Sequence, residues 1–192
     1  MTLLILGLVL FVGGHAVNLA FPDWRRQQIS RLGLMPWKGL YSLVAGAGLA
    51  CLIFGYGDAR AEGIYLYHPP LWTRHLASLL TVPAFLLLFA SQIPGNRIQV
   101  AVGHPMYLGI KLWAFAHLIA NGGLHDVLLF GVFLIWGIAG FAISRRRDKA
   151  LSEVRAYKGI LRDVATVVVS LGAWVGFAFW GHTLLIGLPP LG

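Results

Sequence analysis

The sequence predicts an all-α polytopic membrane protein, a bundle of six transmembrane helices with both termini periplasmic. Three observations predict it. The 192 residues are 58% hydrophobic and only 11% charged, with a mean hydropathy of +0.75, a balance that does not suit a water-soluble globule. Six segments each supply the roughly 20 mostly apolar residues that a spanning helix needs. Twelve of the 15 lysines and arginines fall on alternate connections between those segments, which the positive-inside rule assigns to the cytoplasm.

The first span runs from Thr2 to Phe21. Its apolar stretch Leu3 to Val12 lacks a basic leader and a small-x-small cleavage site, so it reads as a retained helix, not a secretory signal. The second, Trp37 to Gly57, carries Gly46, Gly48 and Ala50, small residues that let helices approach closely in a membrane. The third, Leu71 to Ser91, is bounded by Pro69, Pro70 and Pro94 and holds Pro83 inside. The fourth, Ile98 to Ala120, contains Pro105, which suits the first turn of a helix. Gly137 and Gly140 in the fifth (Leu124 to Ser144), and the Gly172/Gly176 GxxxG pair in the sixth (Val164 to Leu188), read as packing signals.

The connections carry the charge. Arg25, Arg26, Arg31 and Lys38 follow the first span, Arg97 follows the third, and Arg145, Arg146, Arg147, Lys149, Arg155, Lys158 and Arg162 follow the fifth. Only Arg60 and Arg74 lie on the other side, and Lys111 is inside a span. A net charge of +8 placed in this way is a topology signal with the lipid bilayer as partner, and it does not indicate nucleic acid. Within Arg145 to Asp163, Leu151, Val154, Tyr157 and Leu161 recur at spacings of three and four, which predicts a short amphipathic helix on the cytoplasmic face. No repeat or linker divides the chain, so residues 1–192 form a single transmembrane domain. Cys51 has no partner for a disulfide within the chain.

Ionisable groups at membrane depth are costly and mark candidate sites. The segment Gly103 to Gly122, GHPMYLGIKLWAFAHLIANG, holds His104, Lys111 and His117. With a rise of about 1.5 Å per residue, the histidines sort into two layers: His15 with His104 towards the cytoplasm, and His75 with His117 and His182 towards the outside. His104 and Lys111, seven apart, share a face, whereas His117 points about 120° away, so this helix is central. His15 and Asn18 form one polar patch on the first span. His68 and His125 read as interfacial or solvated, and His75 beside Arg74 suits the headgroup level. Neutral imidazoles inside the bundle either hydrogen-bond between helices or ligate haem iron, and no HExxH or paired CxxC signature identifies another metal. No carboxylate lies mid-membrane to pair with Lys111. That leaves it an anionic ligand, such as a haem propionate or a lipid phosphate, or a buried neutral state. The chain shows no nucleophile with its base, no carboxylate pair and no cofactor loop.

These same residues carry a resemblance. The blocks YSLVAGAGLACLIFGYGDAR from Tyr41, PPLWTRHLASLL from Pro69, HPMYLGIKLWAFAHLIANG from His104 and LLFGVFLIW from Leu128 resemble the NnrU family of bacterial membrane proteins, and the likeness runs from GHAVN to FWGHTLLIG. Gly103 stands where that family's pattern has arginine. The resemblance implies a multi-pass protein of the bacterial inner membrane that supports nitrite and nitric oxide metabolism in denitrification, with respiratory nitrogen-oxide reductase components as partners. The family is in turn similar to zeta-carotene isomerase, a membrane enzyme with haem b, which implies haem b as cofactor and His15 and His117 as the metal ligands. It also implies a haem-dependent isomerase or oxidoreductase acting on a lipophilic substrate such as a carotenoid. Ala114 stands where that relative has an alternate cysteine ligand. Helix rise separates His15 from His117, so depth alone favours His15 with His104, or His117 with His182 or His75. HPMYLG is also similar to a stretch of small membrane methyltransferases that use S-adenosylmethionine, although ALSEVRAYKGILRD has only Glu153 where those proteins carry two glutamates.

Overall fold

The computed structural model describes residues 1–190, which are helical almost throughout. Five helices are long and apolar enough to cross a membrane: α1 (Thr2–Ala20), α3 (Leu34–Ala61), α4 (Trp72–Ala90), α7 (Leu124–Leu151), and α8 (Ile160–Gly176), which continues through a π-helical turn (Phe177–Gly181) into α9 (His182–Ile186). The chain is therefore a multi-pass membrane protein in architecture.

The predicted fourth span, Ile98 to Ala120, is two helices. Its first part is α5 (Arg97–Val102), and the 16-residue α6 (Pro105–Ala120) follows. Two backbone facts break it. Gly103 sits at φ +78, a conformation glycine adopts without a Cβ penalty. His104 precedes proline and is held away from helical angles at φ −123, ψ 68, as the Pro105 ring requires. Pro105 then opens α6 at its first turn, where its missing N–H costs nothing.

The first connection is also more ordered than a loop. Residues Pro22–Leu32 form α2, with proline at its start, Asp23 in its first turn and Arg31 in its last, charges that complement the helix dipole. The Arg145–Asp163 segment differs from the predicted amphipathic helix. α7 runs on to Leu151 and ends at Ser152 in the left-handed conformation, and residues 153–159 are not helical. The polar groups of this stretch have specific partners: Lys158 N–H donates to Gly95 O at 2.8 Å and Tyr157 Oη donates to Asp163 at 2.8 Å. Val154, meant for an apolar face, is 91% exposed.

Packing follows the small residues in part. α1 lies directly on α3: a Cβ on Gly48 would come within 2.7 Å of Phe11 N, and one on Gly7 within 2.7 Å of Leu52 N. Around this contact Leu4, Leu8, Val12, Leu52 and Ala59 form the main buried cluster. Gly137 and Gly140 of α7 likewise receive Lys111 and Tyr107 of α6. A Cβ on Gly46, Gly172 or Gly176 would meet nothing within 4 Å, so the GxxxG pair is not a helix contact among the described residues.

α6 is packed between α4 and α7, and α4 also receives α8. The helices run up and down. Arg147 near the end of α7 donates to Leu19 O at the end of α1, at 2.6 Å, which brings the basic ends together. At the opposite end the Met1 ammonium pairs with Glu62, and Arg60 donates to Ile186 O at 3.0 Å. Both ends of the described chain thus meet at the end of α3.

Candidate functional site

A cavity of about 270 Å³ lies between α4, α6 and the α8–α9 segment, at the end of the bundle opposite the basic residues. Four aromatic rings line it, Phe85 from α4, Trp113 from α6, and Trp174 and Phe177 from α8 and the π-helical turn, alongside small and apolar residues such as Ala77, Ala120 and Leu188. Its polar lining includes Arg74, Thr81, His117, Asn121 and His182. Trp174 Nε1 donates to Thr81 Oγ1 at 3.0 Å, a bond that ties α8 to α4 across the cavity.

The two imidazoles are oriented in the same chemical sense. His117 Nδ1 donates to Trp113 O at 2.8 Å, and His182 Nδ1 donates to Leu188 O at 2.6 Å. A carbonyl only accepts, so in each neutral ring the N–H is on Nδ1 and Nε2 keeps its lone pair. His117 is further fixed by stacking on Phe130, with ring centroids 4.5 Å apart, and its carbonyl accepts from Asn121 Nδ2 at 3.0 Å. The loop between α3 and α4 closes this end of α6, with Tyr67 Oη donating to Asn121 O at 2.8 Å.

The other histidines named from the sequence lie elsewhere. His15 also donates Nδ1–H to a carbonyl, that of Phe11, at 2.7 Å. It sits among the rings of Phe11, Tyr41 and Trp136, at centroid distances of 4.4, 5.5 and 6.1 Å. Between it and His117 stand Phe11, Phe133 and Trp113, each ring within 6.0 Å of the next. Asn18 is on the same helix, outside the cavity lining. His75 is exposed, and its neighbour Arg74 lines the cavity instead.

His104 belongs to an ionic cluster at the basic end. Its Nε2 lies 2.9 Å from Asp148 Oδ2, which also accepts from Arg155 Nη1 at 2.6 Å. The hydrogen bond to Asp148, the largest cause, pushes the Arg155 guanidinium up from its ordinary value. Gly103 faces the same cluster, since a Cβ there would meet Arg145 and Arg155 at 3.0 and 3.2 Å. Lys111 is not at the cavity either. Its Nζ lies over the Phe141 ring at 4.5 Å, a cation–π contact in place of an anionic partner.

His125 differs from its reading as an interfacial or solvated side chain, being 3% exposed. The cause is the cap of α7. Asp126 Oδ2 accepts from Gly123 N–H at 3.0 Å, which draws the Gly-Leu-His-Asp stretch into the first helical turn. Tyr56 Oη donates to Asp126 Oδ1 at 2.6 Å, fastening α3 to the same point. Arg74, Thr81 and Trp174 also line the cavity without having been expected there from the sequence. Arg74 alone carried a signal, as one of two basic residues on the side poor in them.

The donor set fits an imidazole-ligated aromatic cofactor: two anchored rings with free Nε2 atoms line one space, bounded by flat side chains. Among the described residues no group of three histidine, cysteine, aspartate or glutamate side chains could hold a metal ion by itself. No curated protein and no solved structure is significantly similar to the chain. The NnrU family, described as NnrU protein, matches residues 3–190, nearly the whole length, and the chain belongs to that family.

Proposed function

We propose that this NnrU-family protein crosses the bacterial inner membrane six times with both termini periplasmic, binds haem b between α4, α6 and α8–α9, and supports nitrite and nitric oxide metabolism. The observation that carries the haem reading is the shared tautomer of His117 and His182. Each Nε2 offers a lone pair to an iron, while the Nδ1–H···O=C bond orients the ring in the manner of a metal-bound histidine. A ligand that needs a donor, such as a quinone carbonyl, finds none on these two atoms. The cavity, about 270 Å³ and partly open, is just below the usual lower bound of small-molecule sites, about 300 Å³, so a haem would extend beyond it through the open side.

When bound, haem would supply a redox-active iron. This chain's residues would fix its position: His117 and His182 as ligands, Phe85, Trp113 and Phe177 as apolar walls. The six-span reading is supported by the position of α6. At 16 residues it is about 24 Å long, short of the roughly 30 Å hydrocarbon core. The break at Gly103–His104 is covered by α7 and its extension, and irregular backbone at depth is tolerated where protein surrounds it. The role in nitrogen-oxide metabolism, with reductase components as partners, rests on the family.

The test is an optical spectrum of the full chain purified from cells with ample haem supply. A Soret band with low-spin features on reduction is expected. A preparation without a Soret band would overturn the haem reading.

A further inference from the structure

Basic side chains are scarce at the end of the bundle where the cavity lies. Of Arg60 and Arg74, the first is accounted for by its bond to Ile186 O. Arg74 lines the cavity, and among the described residues it takes part in none of the ion pairs. The acids of this end are engaged or turned away: Glu62 holds the Met1 ammonium, Asp126 is taken by Tyr56 and Gly123, and Asp58 is exposed on α3. Among the described residues no other lysine or arginine lines this cavity.

An arginine is a fork of five donors with no acceptor, matched in shape to a carboxylate. We infer that the cavity's ligand carries a carboxylate, gripped by Arg74 in the same cavity that His117 and His182 line. This rests on the haem reading above and extends it: Arg74, in the first turn of α4, would be the residue that holds a propionate. Lys111, the other candidate for an anionic group, faces Phe141 instead.

The test titrates haem b and its dimethyl ester, which has no carboxylate, into the haem-free full chain in detergent. Binding is read from the Soret band for the wild type, Arg74→Gln and Arg74→Lys. Arg74→Gln is expected to weaken haem b about fivefold, the upper range for an exposed pair with bidentate geometry. It should leave the ester's affinity unchanged, with Arg74→Lys recovering part of the loss. Equal haem b affinity in wild type and Arg74→Gln would overturn the inference, as would an equal loss for both ligands. A wild-type protein that binds neither overturns the haem reading itself, whereas one that binds both without help from Arg74 leaves that reading standing and removes only the carboxylate grip.

Discussion

His117 on α6 and His182 on α9 line one cavity with the same ring nitrogen committed, each Nδ1–H held by a backbone carbonyl at 2.8 and 2.6 Å respectively. His117 bonds back to the preceding turn of its own helix. His182 reaches forward to Leu188, past the glycine that ends α9. The π-helical turn Phe177–Gly181 immediately before His182 is of a kind that often marks functional positions. His15 shares the tautomer but not the cavity, because Phe11, Phe133 and Trp113 stand between it and His117.

The Trp174–Thr81 bond ties α8 to α4 at the lining of that cavity. Thr81→Val keeps the shape of the side chain and removes the acceptor, leaving the indole N–H without a partner. The expected loss is about 0.6–1 kcal/mol, the usual scale for a hydrogen bond between membrane helices. It is measured as lowered stability in detergent, with looser haem binding in the same preparation. Unchanged values for both would show that α8 is held to α4 by apolar contact alone.

Asp126 closes the opposite side of this end of the bundle. Asp126→Ala would leave the Tyr56 hydroxyl and the Gly123 N–H unpaired, an expected cost of about 1–3 kcal/mol. Tyr56→Phe removes one of the two bonds and should cost less. In a double-mutant cycle the pair should show a coupling of at least about 0.5 kcal/mol. Additive effects would contradict the observed 2.6 Å contact.

The helical architecture was readable because it depends on properties summed over long segments. Length, apolarity and the side on which arginines gather survive small errors in any one residue. The break at Gly103–His104 is a local backbone effect, and its signal was present in the glycine and in the residue before Pro105, but an apolar run of the right length concealed it. The spacing of Leu151, Val154, Tyr157 and Leu161 misled for the opposite reason. Periodicity was present, yet Lys158 and Tyr157 had partners at Gly95, just before α5, and at Asp163 on α8 that a helix would have pulled away. His125 looked solvated beside two glycines, and only the Asp126 cap and Tyr56 from a distant helix explain its burial. The cavity was the least legible feature. His182 and Arg74 reach it through helix packing and a π-helical turn, neither of which has a spacing that can be read along the chain.

The measurement that tests the central claim most directly is the haem-to-protein ratio of the purified full chain for the wild type, His117→Ala, His182→Ala and His15→Ala, expressed with equal haem supply. A near-stoichiometric wild type is expected, with loss of most haem in each of the first two variants and retention in His15→Ala. Haem retained in both His117→Ala and His182→Ala, or lost only in His15→Ala, would contradict it.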